Sequence, residues 1–169
     1  DLSYNSKEGN SMVRELEGST NNFTIRKGTN AFVADKVTGS FGNIPEVMAT
    51  AGGTLIGGGS GGTIYWNPSS STSGMNTAGN TFRPAFVGLG HEMAHARDAN
   101  NGVMYPSNDY TNPITGITYT AQVNGLKKSE WRAVYYENLI RAHAGIPLRT
   151  NYGLSDDGEK YTGTGPLTL

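Results

Sequence analysis

His91-Glu92-Met93-Ala94-His95 sets two imidazoles four residues apart with a carboxylate beside the first. On a helix, positions i and i+4 share a face, so both rings can reach one ion at about 2.0–2.1 Å, while Glu92, about 100° round, can take a proton from a water. The chemistry implied is hydrolysis by water activated at one catalytic zinc ion. The spelling fixes only three positions and also arises by chance, and two helical histidines are ordinarily a partly exposed face. Here two of the chain's three His residues fall inside the pattern, and the flanking sequence reads independently as a helix.

A catalytic zinc takes a third protein ligand and keeps one position open. A third His at the spacing of the longer H-E-x-x-H-x-x-G-x-x-H pattern would fall on Asn101, which excludes that arrangement. His143 is the only other histidine. Downstream, Glu130, Val134, Glu137 and Arg141 recur at i, i+4, i+7 and i+11 and share one helix face, so either carboxylate could meet the metal. Plainer roles exist for both: Glu130 complements the positive end of a helix dipole, and Glu137 forms a surface ion pair with Arg141 worth a few tenths of a kcal/mol. Asp98, at i+7 from His91, either hydrogen-bonds a ligand imidazole or is a solvated acid near a helix end.

These side chains need two helices to position them. The first is marked by Pro84 in its opening turn, by Phe86, Val87, Gly90 and Ala94 on an apolar face, and by Asn100-Asn101-Gly102 as a left-handed stop. The second has Ser129 as its cap, Glu130 at the positive end of its dipole, Arg141 and His143 at its end, and Gly145 with Pro147 beyond. Further upstream, Met12 and Leu16 predict a short helix over Asn5 to Glu17, and Phe23 to Arg26 with Ala31 to Ala34 read as a β-hairpin turning at Lys27-Gly28.

Between Gly52 and Gly62 lie seven glycines, and Gly57, Gly59 and Gly62 spell a dinucleotide loop. A phosphate loop opens a helix, whereas Thr63 to Pro68 reads as a strand halted by proline, so nucleotide binding is rejected. Ile64 to Trp66 is then either an ordinary strand after a flexible turn or an edge strand beside the zinc cleft that an extended substrate could join. Asn67 to Asn80 reads as a polar surface loop, and Gly102 to Gly125 as a segment that partly packs over the cleft, either a lid or simply a long connector.

At 169 residues the chain is expected to be one domain, residues 1–169, excised from a larger secreted protein. A net charge of −1 without basic runs argues against nucleic acid and anionic membranes as partners, and no apolar stretch is long enough to span a bilayer. Zero Cys removes disulfides and thiolate zinc cages, and suits a protein that passes between redox compartments. With 24 Gly and 16% charged residues, the expected architecture is a loop-rich, zincin-like α+β domain: a small mixed sheet with an edge strand beside the His91–His95 helix, and a second helix bringing the third ligand.

Four segments in order, His91 to Ala96, Glu130 to Val134, Tyr136-Glu137-Asn138 and Pro147 to Tyr152, resemble the motif set of the NleD-like effector metallopeptidases. Similar domains occur at the C-termini of type VI spike proteins and Rhs-type toxins, and a more distant likeness is to clostridial neurotoxin light chains. The resemblance covers about positions 84 to 153. It implies a gluzincin-type zinc endopeptidase in which Glu130 is the third ligand and Glu92 the general base. Glu137 would orient Arg149, and Arg149 and Tyr152 would face the oxyanion. Because the Glu130 and Glu137 segments run together as one helix, unlike the neurotoxin pattern, these two roles are open to exchange.

The resemblance further implies a protein or peptide substrate in a target cell, reached by secretion or translocation into a host cytosol or a bacterial periplasm. An immunity protein is an expected partner, and the isolated domain is expected to be a monomer. Two other functions fit the same residues: a zincin-like binding module without catalysis, and a zinc amidase acting on cell-wall peptides. Glu92 argues against a structural metal, which has no use for a base beside it.

Overall fold

The computed structural model describes residues 2, 6–35, 59–104, 109–111, 118–123, 125–154 and 161–164. Helix α1 (Lys7–Glu17) is capped by the Ser6 hydroxyl, which accepts from the Gly9 amide at 3.0 Å, and it turns Met12 and Leu16 inward. Helix α2 (Ala85–Asn100) carries His91, Glu92 and His95, and α3 (Lys128–His143) carries Glu130 and Glu137. Pro84 stands one place earlier than expected, as the residue before the first turn of α2, and Gly102 ends that helix at φ +67°. The cap predicted at Ser129 is not formed: Lys127 occupies that place without a side-chain hydrogen bond, and Ser129 is buried within the first turn.

Strands β1 (Phe23–Lys27), β2 (Ala31–Ala34) and β3 (Gly62–Trp66) form one mixed sheet in the order β1-β3-β2. The predicted hairpin is therefore replaced. β1 runs parallel to β3, with Ile25 opposite Ile64, and β2 runs antiparallel to it, with Phe32 opposite Ile64. Ile64 to Trp66 is the central strand rather than an edge, and β2 is an edge strand in contact with α2. Two-residue strands β4 (Tyr110–Thr111), β5 (Thr118–Tyr119), β6 (Gln122–Val123) and β7 (Leu126–Lys127) pair β4 with β5 and β6 with β7, and β8 (Asn151–Leu154) pairs with β9 (Tyr161–Thr164).

Of the glycine run, positions 52–58 lie outside the described residues. The remainder serves close packing: a Cβ at Gly59, where φ is +38°, would lie 1.8 Å from the Asn100 carbonyl oxygen at the end of α2. From there Gly62 opens β3 directly, with no helix to receive a phosphate.

The core joins Met12 and Leu16 of α1, Ile64 of β3, Val87 and Met93 of α2, and Ala133 and Ile140 of α3. Helices α2 and α3 approach closely at Gly90, where an added Cβ would fall 2.3 Å from Ile140 Cδ1. Gly90→Val should overpack this contact at about 1–3 kcal/mol and lower Tm by about 2–12 °C. Ile140→Val should recover part of that loss in the double variant, as read by thermal melts.

The loop Asn67 to Asn80 is more than a surface excursion. Asn76 is buried and bridges to Arg149, the Thr77 amide donates to the Leu148 carbonyl at 2.8 Å, and a Cβ at Gly74 would strike the Asn151 carbonyl. The loop thus holds the segment that carries Arg149 and Tyr152. Of the connector Gly102 to Gly125, positions 105–108, 112–117 and 124 lie outside the described residues.

Candidate metal centre and active-site cleft

His91, His95 and Glu130 each aim one ligand atom at a common point, with those atoms within 4.8 Å of one another. Glu130 Oε2 is 3.1 Å from His91 Nε2 and 3.4 Å from His95 Nε2. A tetrahedral ion with bonds of about 2.0–2.1 Å requires donor separations of roughly 3.3–3.4 Å, so two imidazole nitrogens and a carboxylate oxygen fit zinc in both chemistry and spacing. His143 is outside this group; it pairs with Glu8 at 2.8 Å with its side chain about half exposed.

Glu137 lies on the other side of the His91 ring. Its Oε2 is 3.1 Å from His91 Nδ1 and accepts from Arg149 Nη1 at 2.8 Å, while Oε1 accepts from Arg141 Nε at 2.9 Å. The i, i+4 pair with Arg141 that reads as a surface contact is completely buried. A carboxylate on Nδ1 fixes the tautomer that leaves Nε2 free for a metal. Spacing along α3 left Glu130 and Glu137 interchangeable; in the structure they face different nitrogens of one imidazole.

Burial works against charge at His91, Glu130 and Glu137, and their partners decide the outcome. Desolvation would lower the His91 pKa, but hydrogen bonds with Glu130 and Glu137 outweigh it and raise it to about 9. Glu130 and Glu137 are also penalised by burial, yet His91 and His95 at the first, and Arg149 and His91 at the second, hold both well below the ordinary carboxylate range. Glu92 differs: burial dominates and pushes its pKa up.

Without metal, His91 is therefore an imidazolium at pH 7. Its raised pKa means that this pairing stabilises the metal-free fold fully below about pH 6.5 and is lost as pH rises through about 9. Zinc requires the neutral ring. Uptake of the ion at pH 7 should release about one proton, measured by titration calorimetry in buffers of different ionisation enthalpy; no proton release would contradict the His91 assignment.

The cleft beside this group has a volume of about 250 Å³ and is walled by Asn30, Ser73, Arg83, Glu92, Arg149 and Tyr152, among others. Tyr152 is partly buried, and its hydroxyl is pushed well above its usual pKa by burial and by its hydrogen bond to Glu130. The Arg149 guanidinium stacks over the Tyr152 ring at 4.7 Å. Its Nε donates to the Asn151 carbonyl at 3.0 Å and its Nη2 to the Tyr152 carbonyl, so each of its three nitrogens is engaged with the protein. Arg149 thus fastens Glu137 to the turn that presents Tyr152, and these bonds use three of its five N–H groups.

Asp98 does not reach a ligand imidazole: it lies 2.8 Å from Arg132 Nε, and His95 Nδ1 has no partner among the described residues. Burial raises the Asp98 pKa to about 6, with Arg132 opposing. Two further contributors had no role read from the sequence: Asn138, seen there only as part of the Tyr136-Glu137-Asn138 segment, and Arg83. Asn138 is completely buried and clasps the Arg149 backbone, accepting from its amide at 2.7 Å and donating to its carbonyl at 3.0 Å. Arg83, just ahead of α2, forms part of the cleft wall.

An α+β fold with two helical histidines and a glutamate from the next helix converging on one point is a zincin-like arrangement. The chain belongs to the Peptidase_M91 family of effector proteins, whose model matches residues 1–152. Neither a curated protein nor a solved structure matches the chain. Among the described residues no helix is long and apolar enough to cross a membrane.

Proposed function

We propose that the chain is a zinc-dependent endopeptidase of gluzincin type that acts as a secreted bacterial effector or toxin. The observation that carries the reading is the triangle of His91 Nε2, His95 and Glu130 Oε2, with Glu92 in the same cleft as a carboxylate whose pKa burial has raised. When bound, zinc would bring the pKa of a water towards about 7 and polarise the substrate carbonyl. Glu92 is the general base: it takes a proton from the attacking water and returns it to the leaving amide nitrogen, and its raised pKa suits both transfers. Tyr152 turns its hydroxyl proton from Glu130 to the oxyanion, and the Arg149 guanidinium supports the same charge. Glu137 keeps the His91 ring oriented and Arg149 in place.

The family's effector character supports delivery into a target cell. The single-domain reading, a monomeric state, an immunity partner and carriage by a type VI spike or Rhs-type protein belong to the same proposal. The test is a survey of new protein N-termini in cells exposed to wild-type or Glu92→Gln protein. Cleavage sites that appear with the first and not the second support the peptidase; identical sets overturn it.

A further inference from the structure

Arg83 is a cation for which the reaction above has no use and which the fold engages only at long range. It stands immediately before Pro84, is 9% exposed, and lines the cleft together with Glu92, Asn30 and Ser73. Gly88 makes room for it: a Cβ there would sit 3.3 Å from Arg83 Cζ. Its Nε has no hydrogen-bond partner among the described residues. The nearest counter-charge, Glu137 Oε2, is 4.0 Å away and already accepts from Arg149 at 2.8 Å. Three guanidinium groups, those of Arg83, Arg141 and Arg149, thus gather about one carboxylate. Arg141 and Arg149 have carbonyls and short contacts to that acid; among the described residues Arg83 has neither. Burying a cation with its fork unfilled is costly, and the cost is recovered when a planar anion arrives.

We propose that Arg83 is a specificity-determining residue that binds a carboxylate of the substrate peptide, so that the cleft selects a bond flanked by an acidic group. The inference rests on the peptidase reading. Arg83 lines the same cleft as Glu92 and meets Glu137 on the Nδ1 side of His91, whereas Glu130 and Tyr152 lie on the Nε2 side, so a substrate group held by Arg83 sits within the cleft but away from the oxyanion position. The carboxylate can come from an Asp or Glu side chain or from a peptide terminus, and a guanidinium fork accepts either in bidentate fashion.

The test uses acetylated, amidated peptide pools carrying Glu or Gln at each fixed position, and a parallel set with free or amidated C-termini. Wild-type protein should favour the carboxylate member of one pair by about tenfold to a hundredfold in kcat/KM, and whether it is the internal or the terminal pair identifies the source. Arg83→Met should shrink that ratio to near unity, and Arg83→Lys, which keeps charge without the fork, should retain part of it. Equal treatment of acid and amide by wild type, a preference that survives Arg83→Met, or an equal loss on both members would each overturn the proposal. Should Arg83→Met fail to fold, the wild-type ratio and Arg83→Lys still decide. Binding of the same pairs to zinc-loaded Glu92→Gln protein, followed by fluorescence anisotropy, separates the two readings. Acid preference in binding without any cleavage by wild type would end the peptidase and leave the subsite standing.

Discussion

Glu92→Gln should lower kcat by about 10²–10⁴ while zinc affinity, measured by competition with a chromophoric chelator, stays unchanged. The side chain is 7% exposed and stands outside the ligand triangle, so an amide of the same shape keeps the fold and the metal but cannot take the proton. Because burial already disfavours the charged form, thermal stability of the variant should equal or exceed that of wild type. A variant that retains full turnover would remove Glu92 from the chemistry; one that loses zinc would instead make it a ligand.

Glu137→Leu should be the most damaging single change to the fold. Removing this completely buried carboxylate leaves Arg141 and Arg149 without their counter-charge and His91 Nδ1 without an acceptor. Breaking a buried ion pair from one side costs about 3–5 kcal/mol, which corresponds to a fall in Tm of about 6–20 °C. Loss of the group that orients a ligand histidine should weaken zinc binding by about 10–100-fold. The two effects are read separately, by melting the metal-free protein and by zinc competition on protein folded at low temperature; unchanged affinity there would confine Glu137 to the fold. The depressed pKa of this carboxylate gives the sign with pH: its contribution is complete above its ordinary value of about 4.5 and is lost as acid protonates it.

What the sequence disclosed and what it withheld divide along range of contact. The helix bearing His91 and His95 was legible because a four-residue spacing and an Asn-Asn-Gly stop are local properties of the chain. Helix α3 showed itself through periodicity, although its start at Lys128 needed no Ser129 cap because the turn is held from outside, the Lys128 amide donating to the Ala121 carbonyl. The sheet was not legible: β1 and β2 read as a hairpin because they are neighbours in sequence, whereas both pair with β3 about 30 to 40 residues on, and no local signal reports that order. Spacing could not separate Glu130 from Glu137, because both occupy one face of α3 and only packing decides which nitrogen of His91 each meets. Arg83 gave no sign at all. A lone arginine before a proline reads as a surface residue until Gly88 is seen making space for it.

Glu137 gathers cations from either side of α2 and from beyond α3, and the loop that starts at Asn67 clamps the turn after Leu148. The ligands stand on two separate helices and the turn bearing Tyr152 is held by a loop ahead of both, so a molecule in which these have not docked holds neither an oriented imidazole nor a presented tyrosine. Under the proposed function, a chain held unfolded has no hydrolytic site until Arg149 closes onto Glu137 and brings the tyrosine over the cleft.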